Sequence, residues 1–279
     1  MSGEERLAAL YAEMVELGLP CLVMGGHAVR FYGIDRTTVD FDFHLALEPE
    51  AWKGLLDVFA RSALVAGARE AHSWRPADFR RFAIGRLPDG REEMLECWRR
   101  NHLLRPFPEL LARREKGAYG GGTVAFLGLS DLIRSKETER EDDWRDLALL
   151  EEIADDRRLA AAGNPEAAAR ALGELRSRRG FDAARAAGLF SRSELVAEAA
   201  REPGNVLAAA FLAPWVKGDV RWPGDTAPPV LEVGTSLAKV APGSARHLAL
   251  VEAVRRLYRR SAMAADRADK EAVSPRPPG

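Results

Sequence analysis

The chain has 279 residues, of which 47% are hydrophobic and 30% charged, so it is long enough and apolar enough for a buried core and two domains. Lysine and arginine total 41 against 42 acidic residues, so the net charge is close to zero. This balance excludes a large net positive charge that would attract the protein to nucleic acid or a membrane. The longest apolar run, residues 206–216, is too short to cross a bilayer, and no secretion signal is indicated. We therefore expect a cytoplasmic protein with no membrane partner and with reduced thiols at Cys21 and Cys97.

The first predicted strand ends in a glycine pair. Residues 22–24 form a short apolar run, Gly25 and Gly26 interrupt it, and residues 28–32 suit a short helix that Gly33 ends. Because glycine has no Cβ, the backbone at such a turn approaches a phosphate closely, and the N–H groups at a helix start point toward an anion. The segment therefore predicts a strand, a turn and a helix that suit a triphosphate.

The next predicted strand, residues 39–45, carries two acidic side chains on one face. Its alternation places Asp40 and Asp42 opposite the apolar Phe41 and Phe43. Carboxylates two residues apart on a strand are about 6.5–7 Å apart at Cα, and two like charges at that spacing are unfavourable without a cation. The pair therefore predicts a site for a divalent ion, Mg²⁺ or Mn²⁺, of the kind used in phosphoryl and nucleotidyl transfer.

Arginine is concentrated between residues 75 and 114, with aromatic side chains among the arginines. Two interpretations are open for this segment. It is either a face for RNA or another anionic substrate, or ordinary arginine-rich surface. The same segment contains a predicted hairpin, with its turn at Asp89 and Gly90, and a predicted strand within residues 91–100.

Residues 126–153 predict a helix with a charged face. Ser130 is a suitable N-cap, and Lys136, Arg140 and Asp143 recur at helical spacings of three and four. In this interpretation Lys136 is an exposed point charge that reaches a triphosphate, while Arg140 is held by Asp143. The alternative is a solvated face of alternating charge without a ligand.

Together these motifs resemble those of the nucleotidyltransferase superfamily of polymerase-beta-like fold. The resemblance covers roughly residues 15–155 and is closest to a small bacterial branch with a GG pair. That branch includes abortive-infection type nucleotidyltransferase toxins, minimal nucleotidyltransferase antitoxins and antibiotic-modifying enzymes. The matching residues are Gly25, Gly26, Ala28, Gly33, Arg36, Thr38, Asp40 and Asp42, followed by Lys136, Arg140, Asp143 and Asp146.

The resemblance implies roles for individual residues. It implies that Asp40 and Asp42 are catalytic metal ligands, that the metal is Mg²⁺ or Mn²⁺, and that an NTP is the substrate. Family members often carry a third carboxylate on a later strand, and Glu96 fits that position best, although it is a glutamate and Glu93 lies on the opposite face of the same strand. The third ligand is therefore Glu96, Glu93 or absent. The nucleotide-binding set implied by the resemblance is Gly25, Gly26, Arg36, Thr38, Lys136 and Arg140.

The sequence divides into three parts. Residues 1–155 are predicted to form an α/β catalytic domain with a mixed sheet flanked by helices. Residues 156–262 are rich in Ala, Arg and Glu with helical periodicity, which predicts an α-helical domain, and residues 263–279 are predicted to be a disordered tail.

The expected function is Mg²⁺-dependent transfer of an NMP from an NTP to an acceptor hydroxyl. Three acceptors stay open: tRNA, a partner protein, and a small molecule such as an antibiotic. The alternative is a non-catalytic nucleotide-binding or partner-binding component of a toxin–antitoxin type system. The sequence specifies neither the NTP nor the oligomeric state.

Overall fold

The computed structural model of the protein describes residues 1–199 with gaps at residues 74, 102 and 139. The chain divides into two compact units, Met1–Lys136 and Glu137–Gly279. The sequence placed the boundary between its first two domains later, after residue 155. Among the described residues, no helix combines the length and hydropathy that crossing a membrane requires.

A seven-stranded mixed sheet is the centre of the first unit. Its strands are β1 (Cys21–Val23), β2 (Phe41–Leu45), β3 (Arg69–Ala71), β4 (Phe79–Arg86), β5 (Glu92–Trp98), β6 (Glu115–Tyr119) and β7 (Gly122–Phe126). Their spatial order is β3-β4-β5-β2-β1-β7-β6. The pairs β2–β5 and β1–β7 are parallel and the other neighbours are antiparallel. The sheet thus places β2, which carries Asp42, beside β5, which carries Glu96.

Six helices of the first unit are described, and α1 and α2 contact the sheet. They are α1 (Gly3–Glu16), α2 (Gly25–Phe31), α3 (Pro49–Lys53), α4 (Leu55–Phe59), α5 (Phe107–Ala112) and α6 (Leu129–Ser135). Helix α1 begins at a capping box between Ser2 and Glu5 and buries Leu7, Leu10 and Met14. The predicted α/β class, with a mixed sheet flanked by helices, is confirmed.

The apolar core of the first unit includes both cysteines. Cys21 and Cys97 are free and buried, as predicted. Burial raises the pKa of Cys21 to about 12 and that of Cys97 well above its usual value, because a thiolate loses its hydration there. Both side chains therefore act as small apolar groups in the sheet.

Two predicted elements of the site region have different bounds in the structure. Strand β2 begins at Phe41, and Asp40 lies in a bend before it, so the two aspartates do not share one strand. The predicted continuous helix over residues 126–153 is wrong. Helix α6 begins after Gly128, not at Ser130, and ends at Ser135, so Lys136 caps it at the C-terminal end.

Residues 137–140 separate α6 from the next helix, α7 (Glu141–Ala160). The Thr138 hydroxyl donates to Asp143 Oδ2 at 2.6 Å and accepts from the Arg140 backbone N–H at 3.1 Å. Threonine hydroxyls that bond nearby groups in this way compete with helical hydrogen bonds. The hydrogen bonds of Thr138 therefore favour the break between α6 and α7. The spacing of the charged residues gave Thr138 no role.

The described part of the second unit is helical, as predicted. After α7 it contains α8 (Pro165–Glu174), α9 (Arg178–Ala186), a 3₁₀ turn at Leu189–Ser191, and α10 (Ser193–Ala199). Asp155 is fully buried and accepts from the Ser177 hydroxyl and from the backbone N–H groups of Arg176 and Ser177. The rest of the predicted helical domain, residues 200–262, and the predicted tail at 263–279 lie outside the described residues.

Candidate functional site

The clearest polar arrangement in the first unit is the pair Asp42 and Glu96. The two residues are directly opposite each other on the parallel strands β2 and β5, so their side chains leave the same face of the sheet. Burial raises the pKa of Asp42 well above its usual value, and the nearby charge of Glu96 and a hydrogen bond to it raise that pKa further. Burial and the neighbouring Glu96 therefore both disfavour the charged form of Asp42.

Asp40 lies close enough to act on the same pair. It is half-buried, and its charge adds to the increase in the pKa of Asp42. Across the described residues, however, no three side chains of His, Cys, Asp or Glu are grouped closely enough to hold a metal ion. The structure therefore brings together a close pair, Asp42 and Glu96, with Asp40 at longer electrostatic range.

Arg81 belongs to this site, although sequence reasoning placed it only in an arginine-rich segment. Arg81 on β4 is opposite Glu96 on β5, and its Nε lies 2.8 Å from Glu96 Oε1. Its side chain is 38% exposed, so this guanidinium is open to solvent on one side and in contact with a carboxylate on the other. Arg81 thus supplies positive charge to Glu96.

Lys136 also acts on the pair, but not as an exposed charge. Its residue is only 6% exposed, and its ammonium group lowers the pKa of Asp42, opposing the effects of burial and of Glu96. The prediction of an exposed lysine is wrong because α6 ends at Ser135 and Lys136 is the buried cap residue. Asp42, Glu96, Arg81 and Lys136 therefore form a group of alternating charge that we call the carboxylate cluster.

The predicted glycine turn packs against this cluster. Gly25 has φ +64°, and a Cβ atom built there would lie 1.9 Å from Asp42 Oδ2. At Gly26 the same construction gives 2.4 Å to Thr38 Oγ1. The Met24 backbone N–H also donates to the Asp42 carbonyl oxygen at 2.9 Å. Both glycines are thus required by close contacts, and at Gly25 the contact is with the carboxylate itself.

We expect Gly25→Ala to impair the site more than the fold. The substitution should cost about 1–2 kcal/mol for the left-handed backbone and should also displace Asp42. Gly18→Ala is a matched control, since Gly18 has φ +73° but nothing within 4 Å of the added Cβ. Chemical denaturation should show a backbone cost in both variants, whereas calorimetry should show weakened Mg²⁺–NTP binding in Gly25→Ala alone. Equal nucleotide affinity in the two variants would contradict the role of this contact.

Two further residues that were predicted to bind nucleotide, Arg36 and Arg140, do not belong to the carboxylate cluster. Arg36 is half-buried, and its carbonyl oxygen accepts a hydrogen bond from Arg30 Nη1 at 2.9 Å. Arg140 belongs to the second unit, where its exposed guanidinium lies 3.9 Å from Asp143 Oδ2. That separation agrees with the predicted Arg140–Asp143 pairing, but an ion pair so long and exposed contributes little free energy. The nucleotide-binding roles of both arginines stay predictions.

The buried histidines have low affinity for protons. Burial lowers the pKa of both His27 and His44 to about 4, so each is neutral near pH 7. The sequence placed neither histidine among the catalytic residues.

Comparison with known proteins adds a likeness of fold. No protein-family profile matches the chain, and no curated protein matches it either. Among solved structures, the chain is similar to the crystal structure of an antigenic nucleotidyltransferase-like protein from Paracoccidioides brasiliensis, with 17% sequence identity and a TM-score of 0.39. The match covers 71% of this chain and 93% of that one. A likeness this distant does not assign an activity, so the function proposed below depends on the carboxylate cluster.

Proposed function

We propose that this protein is a nucleotidyltransferase that transfers an NMP from an NTP to an acceptor hydroxyl and releases pyrophosphate. The observation that carries the proposal is the placement of Asp42 and Glu96 directly opposite each other on β2 and β5, with the glycine turn against Asp42. Paired carboxylates beside a turn that only glycine fits are suited to a cation and the phosphates it binds.

The donor set of the cluster fits Mg²⁺ or Mn²⁺. Carboxylate oxygens are the ligands these hard cations prefer, and the nearby charge of Glu96, which together with burial raises the pKa of Asp42, supports a site that a cation would stabilise. Asp42 and Glu96 would hold the ion, and Asp40 would add negative charge at longer range. When bound, such an ion neutralises charge on the phosphates and lowers the pKa of a coordinated hydroxyl.

Lys136 and the neighbouring glycine turn would bind the triphosphate. The backbone at Gly25 and Gly26 would approach the triphosphate, and Lys136 would offset its negative charge. In the reaction the acceptor oxygen forms a bond to the α-phosphorus as the bond to the pyrophosphate oxygen breaks. The acceptor's proton passes to a carboxylate, for which Glu96 is placed, and pyrophosphate leaves with the electron pair.

We expect Lys136→Met to weaken NTP binding by about tenfold, the effect of removing one favourable charge contact with phosphate. Because Lys136 is buried and lowers the pKa of Asp42, its loss should also raise that pKa further. Lys136→Arg should retain more affinity, since it keeps the charge. Calorimetric titration with Mg²⁺ and an NTP measures the affinity, and the proposed role fails if Lys136→Met binds as tightly as wild type.

Isotope labelling tests the proposed reaction. The protein is incubated with Mg²⁺ and a cell lysate or a tRNA pool, in parallel with an NTP labelled at the α-phosphate and one labelled at the γ-phosphate. Nucleotidyl transfer attaches only the α-label to an acceptor and releases the γ-label in pyrophosphate. Transfer of the γ-label would indicate a kinase instead, and α-labelling that persists in Asp42→Asn would place the activity elsewhere. The labelled species identifies the acceptor class among tRNA, protein and small molecules.

One observation favours a second candidate, a nucleotide-binding or partner-binding component without transfer activity. Glu96, the proposed proton acceptor, is engaged by Arg81 at 2.8 Å, an arrangement that also stabilises the cluster without any cation. In that case an NTP would bind without any acceptor becoming labelled. The same labelling experiment, combined with calorimetry, separates the two functions.

A further inference from the structure

A pocket lies in the first unit, and its lining residues do not include those of the carboxylate cluster. It has a volume of about 390 Å³ and is bordered by the start of α1, by residues 86–88 at the end of β4, and by Thr38, Val39 and Phe41. Pockets of this size in proteins accommodate small organic molecules.

The pocket lies on the opposite face of the sheet from the carboxylate cluster. Phe41 and Glu93 line it, whereas Asp42 and Glu96 form the cluster. Phe41 is one residue from Asp42 and Glu93 is three residues from Glu96, and an odd separation on a strand reverses the face. A ligand in this pocket would therefore lie on the other face of the sheet from Asp42 and Glu96, although Thr38, which was predicted to bind nucleotide, also lines the pocket.

His27 contributes a buried, unsatisfied nitrogen to the pocket wall. Its Nδ1 lies 2.9 Å from the Tyr119 hydroxyl, and its residue is 2% exposed. We assign the Tyr119 hydroxyl as the donor to Nδ1, an assignment that puts the imidazole proton on Nε2. That Nε2 is buried and has no hydrogen-bond partner among the described residues. A buried donor left unsatisfied is unfavourable, and a ligand oxygen would satisfy it.

The charges around the pocket favour an anion. Glu93 is the acidic residue among the described lining residues, and it accepts hydrogen bonds from both Nε and Nη2 of Arg6, at 3.3 and 3.1 Å, which offsets its charge. Arg86 adds an exposed guanidinium at the rim, where its Nη1 donates to the Gly90 carbonyl oxygen at 3.1 Å. The positive end of the α1 dipole also lies at the pocket, since Gly3 begins that helix and is a lining residue, and Glu4 and Glu5 in the same turn offset part of this positive charge.

We propose that this pocket binds a small organic anion, a carboxylate or a phosphate monoester attached to an apolar body. Arg86, the first turn of α1 and the Nε2–H of His27 would bind the anionic group. Phe41, Leu87 and Pro88 would pack against the apolar part. The proposal does not depend on nucleotidyl transfer, because its residues and its face of the sheet are distinct from those of the carboxylate cluster.

Four probes of similar shape test the proposal on the full chain. Benzoate and phenyl phosphate carry the proposed anionic groups, whereas benzamide is neutral and benzamidine is cationic. Calorimetry gives the affinities, and nuclear magnetic resonance of ¹⁵N-labelled histidine reports on Nε2 of His27. We expect one or both anions to bind and to shift the Nε2 resonance, and the ratio of their affinities distinguishes a carboxylate site from a phosphate site. Binding of benzamide or benzamidine as tightly as the anions would overturn the proposal, as would no binding of either anion up to about 10 mM.

Matched variants locate the binding. Arg86→Gln should weaken anion binding by about tenfold, whereas Arg91→Gln should leave it unchanged, since Arg91 lies in the same turn, pairs with Asp89 and does not line the pocket. His27→Phe keeps a ring beside Phe41 but removes the donor, and it should abolish the response to the anions. If His27→Phe does not fold, the two arginine variants decide. Equal anion affinity in Arg86→Gln and Arg91→Gln would show that the anions bind elsewhere.

Discussion

Glu96→Gln should lower the rate of nucleotidyl transfer by about 10²–10⁴-fold and should reduce NTP affinity much less, since the glutamine oxygen can still contact a cation that Asp42 holds. The glutamine keeps the size of the side chain but cannot take the acceptor's proton, and the loss of a positioned general base has an effect of that order. Glu96 is opposite Asp42 and contacts Arg81, so the substitution removes a carboxylate charge from the centre of the cluster. Single-turnover measurements with saturating α-labelled NTP separate the chemical step from binding.

Glu93→Gln is the matched control for that experiment. Glu93 lies on the same strand but on the other face, where it binds Arg6 through two hydrogen bonds. Its replacement should leave the transfer rate near wild type and should reduce the free energy of unfolding by about 1–3 kcal/mol, as for other hydrogen bonds to charged groups. A slow Glu93→Gln with a normal Glu96→Gln would show that the third carboxylate has been assigned to the wrong residue.

Asp42→Asn should abolish Mg²⁺-dependent transfer and stabilise the metal-free protein at neutral pH. The pKa of Asp42 is raised above the ordinary value of 3.8, so the folded state binds this proton more tightly than the unfolded state does. Stability from this group is therefore greatest below pH 3.8 and is lost as the pH rises toward the folded-state pKa. Asparagine lacks this titration, and we expect the variant to gain about 0.5–2 kcal/mol near pH 7.

Denaturant unfolding at several pH values, with and without Mg²⁺, measures both parts of this expectation. Without Mg²⁺, the stability of wild type should fall with rising pH more steeply than that of Asp42→Asn. Added Mg²⁺ should stabilise wild type, by about 2.7 kcal/mol at one hundred times the dissociation constant, and should leave the variant unchanged. A variant less stable than wild type in metal-free buffer at pH 7 would contradict the assignment of Asp42 as a strained functional carboxylate.

Local signals in the sequence were sufficient for the glycine turn and for β2. The change from an apolar run to Gly25 and Gly26 predicted the end of β1 and a helix after it, although α2 begins at Gly25 itself, three residues before the predicted helix over residues 28–32. The alternation around Asp42 predicted a strand with its apolar side chains buried, and Phe41 and Phe43 are buried. These features depend on neighbouring residues alone, so one sequence is enough to find them.

The position of Arg81 could not be predicted because the register of the hairpin is not regular. Near the turn, Arg86 is opposite Glu92, and continuing that register would place Phe82 opposite Glu96. A bulge between Ala83 and Gly85 shifts the pairing by one residue, so Arg81 is opposite Glu96 instead. Gly85 is a local sign of such an irregularity, but glycine within a strand also occurs at tight bends and where another backbone or a ligand approaches closely.

The prediction that Lys136 is exposed is wrong for a different reason. Charged residues at spacings of three and four predicted one continuous helix with a solvated face. In the structure α6 ends at Ser135, and the charges after it belong to another helix. Helical periodicity therefore identified Lys136 as a charge of interest, but the end of α6 determines that it is buried beside Asp42.

Binding of Mn²⁺ in the presence of a non-hydrolysable NTP analogue tests most directly whether Asp42 and Glu96 form a metal and nucleotide site. Electron paramagnetic resonance measures how much Mn²⁺ the protein removes from solution. We expect wild type and Glu93→Gln to bind Mn²⁺ together with the analogue, and Asp42→Asn to lose most of this binding. If Asp42→Asn binds Mn²⁺ and the analogue as wild type does, the pair is not the cation site and the proposed function loses its basis.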